Sequence, residues 1–267
     1  GMSRVAIIGT GYVGLTTGAC FAHLGHDVVC GDVDADKITR LLRGELPFVE
    51  DRLADLVEEG IENGRLHFVL GAEAAVNECE IAFLCVPTPQ DADGSADLSF
   101  IEAASRDIVD KLPTGAILVN KSTVPVGSTL VVERVLNRPD VIVVSNPEFL
   151  REGSAVADFL YPDRIVIGSR DEVAAKIVGA LYEPLGAPVV ITDPASAETI
   201  KYAANAFLAT KLSFVNAIAA VCEGVGADVS DVMEGLGYDK RIGSEFLSPG
   251  PGWGGSCLPK DTQALIR

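Results

Sequence analysis

The sequence predicts an α/β protein with a doubly wound, parallel sheet over residues 1–192, followed by a long helix and a small all-helical region over residues 193–267. Short β-branched and apolar runs alternate with helical patterns through the first range, and a glycine-rich turn follows the first run. Proline and glycine are then absent from residues 195–223. Alternating β and α elements favour a parallel sheet because a right-handed crossover returns the chain to the same edge.

The predicted strands are short runs that are mostly apolar throughout, as expected when helices cover both faces of a sheet. In chain order they are Val5–Ile8, Val28–Gly31, Ile81–Val86, Ile117–Lys121, Val141–Ser145, Ile165–Gly168 and Val189–Ile191.

One long helix is predicted after the last strand. Asp193 is suited to cap its start, Pro194 to occupy its first turn, and Gly224 to follow its end. A helix of about 30 residues extends ~45 Å, which is more typical of a connecting spine or a dimer element than of a surface helix. Residues 228–267 then give short helical patterns interrupted by a proline- and glycine-rich loop at 248–252.

Composition and charge limit the classes of partner. The chain has 267 residues, 48% of them apolar and 22% charged, which is typical of a globular protein. Its formal net charge of −17 argues against nucleic acid or an anionic membrane surface as partner. An anionic small molecule needs only a local positive site. No run of about 18 uninterrupted apolar residues is present, so we expect no membrane span.

The cysteines show neither a CxxC pair nor the clustering of a metal site. Most of them lie in apolar runs, where a cysteine is usually a small buried side chain. This pattern favours a reducing cytoplasm over a disulfide framework. The cysteines are Cys20, Cys30, Cys79, Cys85, Cys222 and Cys257.

The turn Gly9-Thr10-Gly11-Tyr12-Val13-Gly14 follows the first predicted strand and opens a helical pattern, which is the context of a Rossmann-type dinucleotide site. Its glycines allow a tight turn and let the backbone approach a pyrophosphate at the helix N-terminus. Asp32 ends the second strand, 18 residues after Gly14. A carboxylate there accepts hydrogen bonds from a ribose diol and repels a 2′-phosphate, so NAD is favoured over NADP.

Cys257 lies in Gly-Gly-Ser-Cys-Leu-Pro-Lys-Asp, residues 254–261, close to a lysine and a carboxylate. A thiol in such a setting is a candidate nucleophile. Interconversion of an alcohol and a ketone needs no thiol, whereas oxidation of an aldehyde can use one through a thiohemiacetal and a thioester. Cys257 together with NAD therefore suggests an aldehyde-oxidising step.

Supporting polar groups are found on the long helix and after the strands. Lys201 and Asn205 are four residues apart, so they share a helix face and could form an oxyanion site. The helix alone favours an ordinary polar face instead, and Lys211 has a similar context. Asp261 could act as a base or as a helix cap. Turns that follow predicted strands lie where ligands of open α/β sheets bind; they are Pro87–Pro89, Ser122–Pro125 and Asn146–Gly153.

Taken together, these motifs resemble the UDP-glucose/GDP-mannose dehydrogenase family of nucleotide-sugar dehydrogenases. The resemblance extends along the chain through residues 9–15, 121–127, 146–153, 201–207 and 254–261. It implies oxidation of a sugar C6 alcohol to a carboxylate with two NAD and a covalent cysteine intermediate.

The resemblance also implies roles for individual residues. Cys257 would be the nucleophile, Lys201 and Asn205 the oxyanion site, and Asp261, Glu148 and Thr123 the holders of the catalytic water. The implied NAD contacts beside the glycine turn are Asp32, Lys37, Thr88, Thr123, Glu152 and Lys260. The implied substrate contacts, beside Lys201 and Asn205, are Glu148, Phe149, Leu150, Arg151, Glu152, Phe246, Leu247, Ser248, Pro249, Gly250 and Gly254, with Arg241 reaching the partner subunit's site in a homodimer.

Two finer expectations concern the substrate and the extent of the chain. Residues 158–162 and 238–243 are more similar to the UDP-glucose branch than to the GDP-mannose branch. Family members continue past the cysteine motif into a second α/β domain that holds much of the nucleotide. We therefore expect this chain to be a truncated one that lacks that domain, with the chemistry encoded but the activity of the polypeptide itself in doubt.

Two alternatives to this activity remain open at the sequence level. A two-electron hydroxyacid dehydrogenase combines the same cofactor turn with a Lys-x-x-x-Asn helix and needs no cysteine. A non-catalytic NAD-binding dimerisation module would carry Cys257 only as a structural thiol.

Overall fold

The computed structural model describes residues 2–122, 126–245 and 247. Strands and helices alternate through the first part of the chain, as predicted. The strands are β1 (Arg4–Ile8), β2 (Asp27–Asp32), β3 (Leu66–Leu70), β4 (Ile81–Leu84), β5 (Ile117–Asn120), β6 (Ile142–Ser145), β7 (Ile165–Gly168) and β8 (Val189–Thr192). The α-helices are α1 (Tyr12–His23), α2 (Ala35–Leu42), α3 (Leu53–Glu62), α4 (Ala72–Val76), α5 (Ser99–Ile108), α6 (Ser128–Leu136), α7 (Ala155–Leu160), α8 (Glu172–Leu181), α9 (Pro194–Val225) and α10 (Val229–Gly237).

The strands form one sheet in the order β3-β2-β1-β4-β5-β6-β7-β8. Strands β1 to β6 run parallel to one another, so their carboxyl ends lie at one edge of the sheet. Strands β7 and β8 are also parallel to each other but meet β6 in the opposite sense, through Ser145 and Gly168. The predicted α/β, doubly wound fold is thus confirmed, but the sheet is only mostly parallel, because β7 and β8 run opposite to the other strands.

Two hydrophobic layers sandwich the sheet because successive side chains of a strand point to opposite faces. In β1, Val5 and Ile7 join the layer built with α1, α3, α7 and α8, whereas Ala6 and Ile8 join the layer built with α4, α5 and α6. Burial on both faces explains why the central strands are continuously apolar in the sequence.

Strand β3 is not among the predicted strands, because it lies at the edge of the sheet and is not continuously apolar. Its central residues alternate in burial, with Leu66 and Phe68 in the core and His67 exposed. The polar residue interrupts the apolar run by which the central strands were recognised.

The predicted long helix is confirmed as α9, which has 32 residues and extends ~48 Å. It ends at Val225, so Gly224, predicted to follow its end, lies in its last turn. Asp193 caps it as predicted, since its carboxylate accepts hydrogen bonds from the Ser196 amide and hydroxyl, each at 2.8 Å. By length and composition alone, α9 could also cross a membrane, a criterion that core helices of soluble proteins meet as well.

The chain divides into two compact units, the first ending at Lys201 and the second beginning at Tyr202 on the same helix. The domain division predicted at residues 192/193 stays a prediction; it lies just before α9, which begins at Pro194. In the second unit, Val215, Met233 and Leu247 form a small core beneath α10, which Asp228 caps through the Ser230 amide at 2.8 Å.

Candidate active site

The glycine turn joins β1 to α1 in a conformation that requires glycine at two positions. Gly9 has φ +101°, and its amide donates to the Gly31 carbonyl at 2.9 Å. A Cβ atom at Gly9 would lie 2.5 Å from the Cys85 carbonyl oxygen, and one at Gly14 would lie 1.9 Å from the Gly9 carbonyl oxygen. Backbone therefore packs directly on backbone at both positions.

Gly11 differs from Gly9 and Gly14 because a Cβ atom there would meet no protein atom within 4 Å. It precedes the first turn of α1, where Tyr12 and Val13 are partly buried against the core. The N-terminus of α1 thus presents its amides and its positive dipole end on an open side. These features fit the pyrophosphate of a dinucleotide, and Gly11 is the position at which such a group can approach the backbone.

Asp32 lies at the end of β2, beside this turn. Its carboxylate accepts hydrogen bonds from the Thr10 hydroxyl at 2.6 Å and the Thr10 amide at 3.1 Å, and the Lys37 ammonium is 3.7 Å away. Burial favours the neutral acid, but the hydrogen bonds from Thr10 and Asp34 and the charge of Lys37 hold the pKa of Asp32 below its ordinary value. The predicted ribose partner is therefore an ionised carboxylate.

Glu148 and Lys201 form a buried ion pair at the carboxyl edge of the sheet. Glu148 Oε1 lies 3.5 Å from Lys201 Nζ, with side-chain exposures of 1% and 5%. The other oxygen, Oε2, accepts from the Leu150 amide at 2.7 Å. Lys201 Nζ also lies 5.3 Å from the centroid of the Phe149 ring, on which the Arg164 guanidinium stacks at 3.5 Å. Two residues predicted for the site from distant motifs are thus in contact.

The carboxylates of Asp158 and Glu50 anchor the segment that follows Glu148. Arg151 pairs with Asp158 at 2.8 Å rather than facing Glu148, and Glu152 is exposed. Glu50, which the sequence analysis missed, is buried and accepts from the Gly153 amide at 2.7 Å and the Ala155 amide at 3.3 Å. Its isolated position in a loop between helices gave no signal in the sequence.

Lys121 is a second buried cation that was not predicted as a site residue. Its ammonium lies 3.2 Å from Asn146 Oδ1 and 3.2 Å from the Tyr182 hydroxyl. The sequence feature that could have indicated Lys121 is its position directly after an apolar strand. Thr88, which is predicted to lie near NAD, is also buried and follows β4. Among the described residues, no group of His, Cys, Asp and Glu side chains could hold a metal ion.

The second unit contains further predicted residues. Asn205 is buried on α9, four residues after Lys201. Lys211, the alternative to Lys201, instead donates to the Glu245 carbonyl at 2.9 Å. Arg241 is exposed and forms a fork on Asp239, with contacts of 2.8 and 3.1 Å. Leu247 belongs to the small core, so its side chain is not free to contact a ligand.

Several predicted site residues lie outside the described residues, and their roles stay predictions. They are Thr123, Phe246, Ser248, Pro249, Gly250, Gly254, Cys257, Lys260 and Asp261.

Comparison with protein families gives two matches that together span most of the chain. Residues 3–186 match the NAD binding domain of the UDP-glucose/GDP-mannose dehydrogenase family, and residues 195–267 match the central domain of that family. The chain is 50% identical to UDP-glucose 6-dehydrogenase TuaD of Bacillus subtilis and 50% identical to the UDP-glucose 6-dehydrogenase of Rhizobium meliloti. The alignments cover 100% and 99% of this chain but 59% and 63% of those proteins. The chain thus spans about 60% of the length of these curated relatives.

Solved structures agree with this assignment. A UDP-glucose dehydrogenase from Pyrobaculum islandicum superposes with a TM-score of 0.93 at 42% identity, covering 100% of this chain and 63% of that one. A GDP-mannose dehydrogenase from Pseudomonas aeruginosa superposes with a TM-score of 0.85 at 34% identity, covering 98% and 63%. A Mycobacterium tuberculosis 3-hydroxyisobutyrate dehydrogenase, at 16% identity and a TM-score of 0.70 over 100% of this chain and 86% of that one, shares the fold alone.

Proposed function

Because the chain belongs to the UDP-glucose/GDP-mannose dehydrogenase family, we propose that it forms the NAD-binding and catalytic part of a UDP-glucose 6-dehydrogenase. The proposed reaction is the four-electron oxidation of UDP-glucose to UDP-glucuronate. The observation that carries the proposal is the buried Lys201–Glu148 pair, at 3.5 Å, on the edge of the sheet where the Gly9–Gly14 turn also lies. A cation held there by a carboxylate is suited to an oxygen that becomes negative during the reaction.

The open side of Gly11 and the start of α1 hold the pyrophosphate of NAD, and Asp32 with Lys37 holds the adenosine ribose. NAD bound in this way supplies the hydride acceptor for both oxidations. Thr88, Thr123, Glu152 and Lys260 complete the proposed cofactor contacts.

In the proposed chemistry, Lys201 and Asn205 stabilise the C6 oxygen as the alcohol loses a proton and a hydride. The Cys257 thiolate then adds to the aldehyde carbon, forming a C–S bond and a thiohemiacetal. The thiohemiacetal hydroxyl then loses its proton to solvent and the carbon loses a second hydride to NAD, which gives the thioester. A water held by Thr123, Glu148 and Asp261 attacks the carbonyl carbon, the C–S bond breaks, and the carboxylate and the thiol are released.

A Cys257→Ser variant tests this sequence of steps in the full-length protein. We expect the variant to bind NAD normally but to stop at the aldehyde level, so that no UDP-glucuronate forms. Cys79→Ser is the matched control, since Cys79 is a buried cysteine that follows α4, away from the glycine turn and the ion pair. Undiminished acid production by Cys257→Ser would favour the two-electron hydroxyacid dehydrogenase. A Cys257 thiol that resists alkylation and is not protected by substrate would favour a non-catalytic NAD-binding module.

UDP-glucose is proposed over GDP-mannose because two UDP-glucose 6-dehydrogenases are 50% identical to this chain, against 34% for the GDP-mannose dehydrogenase structure. The proposed sugar-nucleotide contacts are residues 148–152, Phe246, Ser248, Pro249, Gly250 and Gly254. Initial rates with the two nucleotide sugars, measured side by side through NADH absorbance, decide between the substrates. A higher kcat/KM with GDP-mannose would reassign the chain within the family.

The proposed partner, besides the nucleotide sugar, is a second copy of the chain. In the second unit, α9 leaves Phe207, Phe214, Val221 and Val225 exposed, at spacings of seven, seven and four residues. Apolar residues at these spacings form one stripe along a helix, as in helix pairs. The exposed Arg241 is then available to reach the partner subunit's substrate site. We expect Phe214→Asp to give a monomer in sedimentation velocity and Val173→Asp, at an exposed position on α8, to leave the dimer intact.

We place the protein in the cytoplasm, with neither a membrane nor a nucleic acid as partner. The cysteines of the described residues are free and buried, and the net charge is −17. In this proposal a second subunit covers the apolar stripe of α9, which accounts for its composition without a lipid environment.

A further inference from the structure

Lys121 lies beneath the edge of the sheet at which the proposed reaction takes place. It directly follows β5 and is 4% exposed. Its ammonium contacts Asn146 Oδ1 at 3.2 Å, the Asn146 carbonyl at 3.5 Å and the Tyr182 hydroxyl at 3.2 Å. Burying an ammonium is unfavourable unless its hydrogen bonds and its charge are matched.

Asn146, the main partner of Lys121, makes three further hydrogen bonds. Its Oδ1 also accepts from the Tyr182 hydroxyl, its Nδ2 donates to the Val166 carbonyl at 2.9 Å, and its amide donates to the Asn120 carbonyl at 3.0 Å. Asn146 begins the turn whose third residue is Glu148. Lys121 therefore anchors the start of this turn, and the Leu150 amide holds Glu148 Oε2 at its end.

The charged and titratable groups that face Lys121 come from four neighbouring elements. Cys85 follows β4, Glu148 follows β6, Tyr182 follows α8 and Lys201 lies on α9. Burial lowers the pKa of Lys121 to about 8, and the charge of Lys201 adds to this effect, while Cys85 and Glu148 oppose it. Burial also raises the pKa of Cys85 to about 12, which keeps that thiol neutral. Glu148 is thus the carboxylate that the Lys121 ammonium faces.

We propose that Lys121 is a positioning residue of the reaction: its ammonium fixes the Asn146-Pro147-Glu148 turn and supplies a second positive charge beside the Glu148–Lys201 pair. This inference rests on the proposed function, because it gives Lys121 its purpose through Glu148 and Lys201. If the Lys121 side chain only filled space in the core, a methionine of similar length could replace it.

The test compares Lys121→Met with Tyr182→Phe in the full-length protein. Loss of a positive charge makes the neighbouring acids harder to ionise, so the acidic limb of kcat/KM against pH moves to higher pH by about one unit in Lys121→Met. We expect kcat to fall at least tenfold and the NAD dissociation constant to stay unchanged. Tyr182→Phe removes one hydrogen-bonding partner without changing the charge, so its acidic limb stays in place. Lys176→Met, at an exposed lysine on α8, controls for loss of a surface cation. An unshifted acidic limb in an active Lys121→Met enzyme overturns the proposal.

A second measurement needs neither a variant nor activity. In the wild-type protein labelled with carbon-13 in its glutamate and lysine side chains, the Glu148 carboxyl resonance should show an inflection at the pH at which the Lys121 ε-carbon titrates. Two independent titrations would overturn the charge coupling even if UDP-glucose is the substrate. Conversely, coupled titrations in a protein that does not oxidise any nucleotide sugar would contradict the proposed function and leave the Lys121 contact intact.

Discussion

Gly14→Ala is expected to lower thermal stability, whereas Gly11→Ala is expected to weaken NAD binding. The two variants therefore separate the packing of the glycine turn from its binding role. A Cβ atom at Gly14 would lie 1.9 Å from the Gly9 carbonyl oxygen, far inside the 3.4 Å at which ordinary contact begins. Overpacking of this kind costs about 1–3 kcal/mol. At ~2–4 °C per kcal/mol for a unit of this size, Gly14→Ala should lower Tm by about 2–12 °C.

Gly11→Ala meets no protein atom within 4 Å, so its effect on stability is small. Loss of glycine at the helix N-cap costs up to about 1 kcal/mol, and the lower entropy of the unfolded chain offsets about 0.4–1 kcal/mol of this. Tm should therefore change by less than about 2–4 °C. The new methyl group occupies the side from which the pyrophosphate approaches, so NAD affinity should fall at least about tenfold, or ~1.4 kcal/mol.

Differential scanning fluorimetry gives Tm for both variants, and isothermal titration calorimetry gives NAD affinity for Gly11→Ala. Wild-type NAD affinity in Gly11→Ala would refute the placement of the pyrophosphate. An unchanged Tm in Gly14→Ala would refute the close packing of the turn.

Three further predictions follow from buried or paired charges. Lys201→Met removes the ammonium that neutralises buried Glu148 and should lower the free energy of unfolding by about 3–5 kcal/mol in urea titrations, with most of the loss recovered when Glu148→Gln is added. Burial lowers the pKa of His26, which stays neutral between the Ser3 amide and the Leu181 carbonyl. The stability that neutral His26 contributes is therefore complete above the unfolded pKa of about 6.5, and it is lost as the pH falls toward the pKa in the folded state. Between pH 7 and pH 5, Tm should therefore drop less steeply in His26→Gln than in wild type. Asp32→Asn should weaken NAD binding about tenfold and narrow the preference for NAD over NADP, because the charge that repels a 2′-phosphate is gone; calorimetry with both cofactors measures this.

The fold was predictable from the sequence wherever one physical rule dominated. Burial on both faces made the central strands continuously apolar, and the absence of proline and glycine from residues 195–223 indicated α9. Strand β3 escaped because His67 at the sheet edge breaks its apolar run. The reversal of β7 depends on how the chain crosses between strands, and residue patterns within the strands do not record that direction.

The candidate site was predictable where a motif has a local mechanism, as in the glycine turn and Asp32. Helix periodicity predicted that Lys201 and Asn205 share a face, but it did not separate Lys201 from Lys211. In the structure, Lys201 contacts Glu148, another predicted site residue, and Lys211 donates to the Glu245 carbonyl; helix periodicity predicts neither contact. Contacts between residues distant in sequence, such as Glu50 with the Gly153 amide, leave no local pattern to read.

The most direct test of the proposed function is the number of NAD molecules reduced for each UDP-glucose consumed by the full-length protein. With limiting UDP-glucose and excess NAD, a four-electron oxidation gives two NADH per sugar, with UDP-glucuronate as the product. One NADH per sugar, or no oxidation of UDP-glucose, would contradict it.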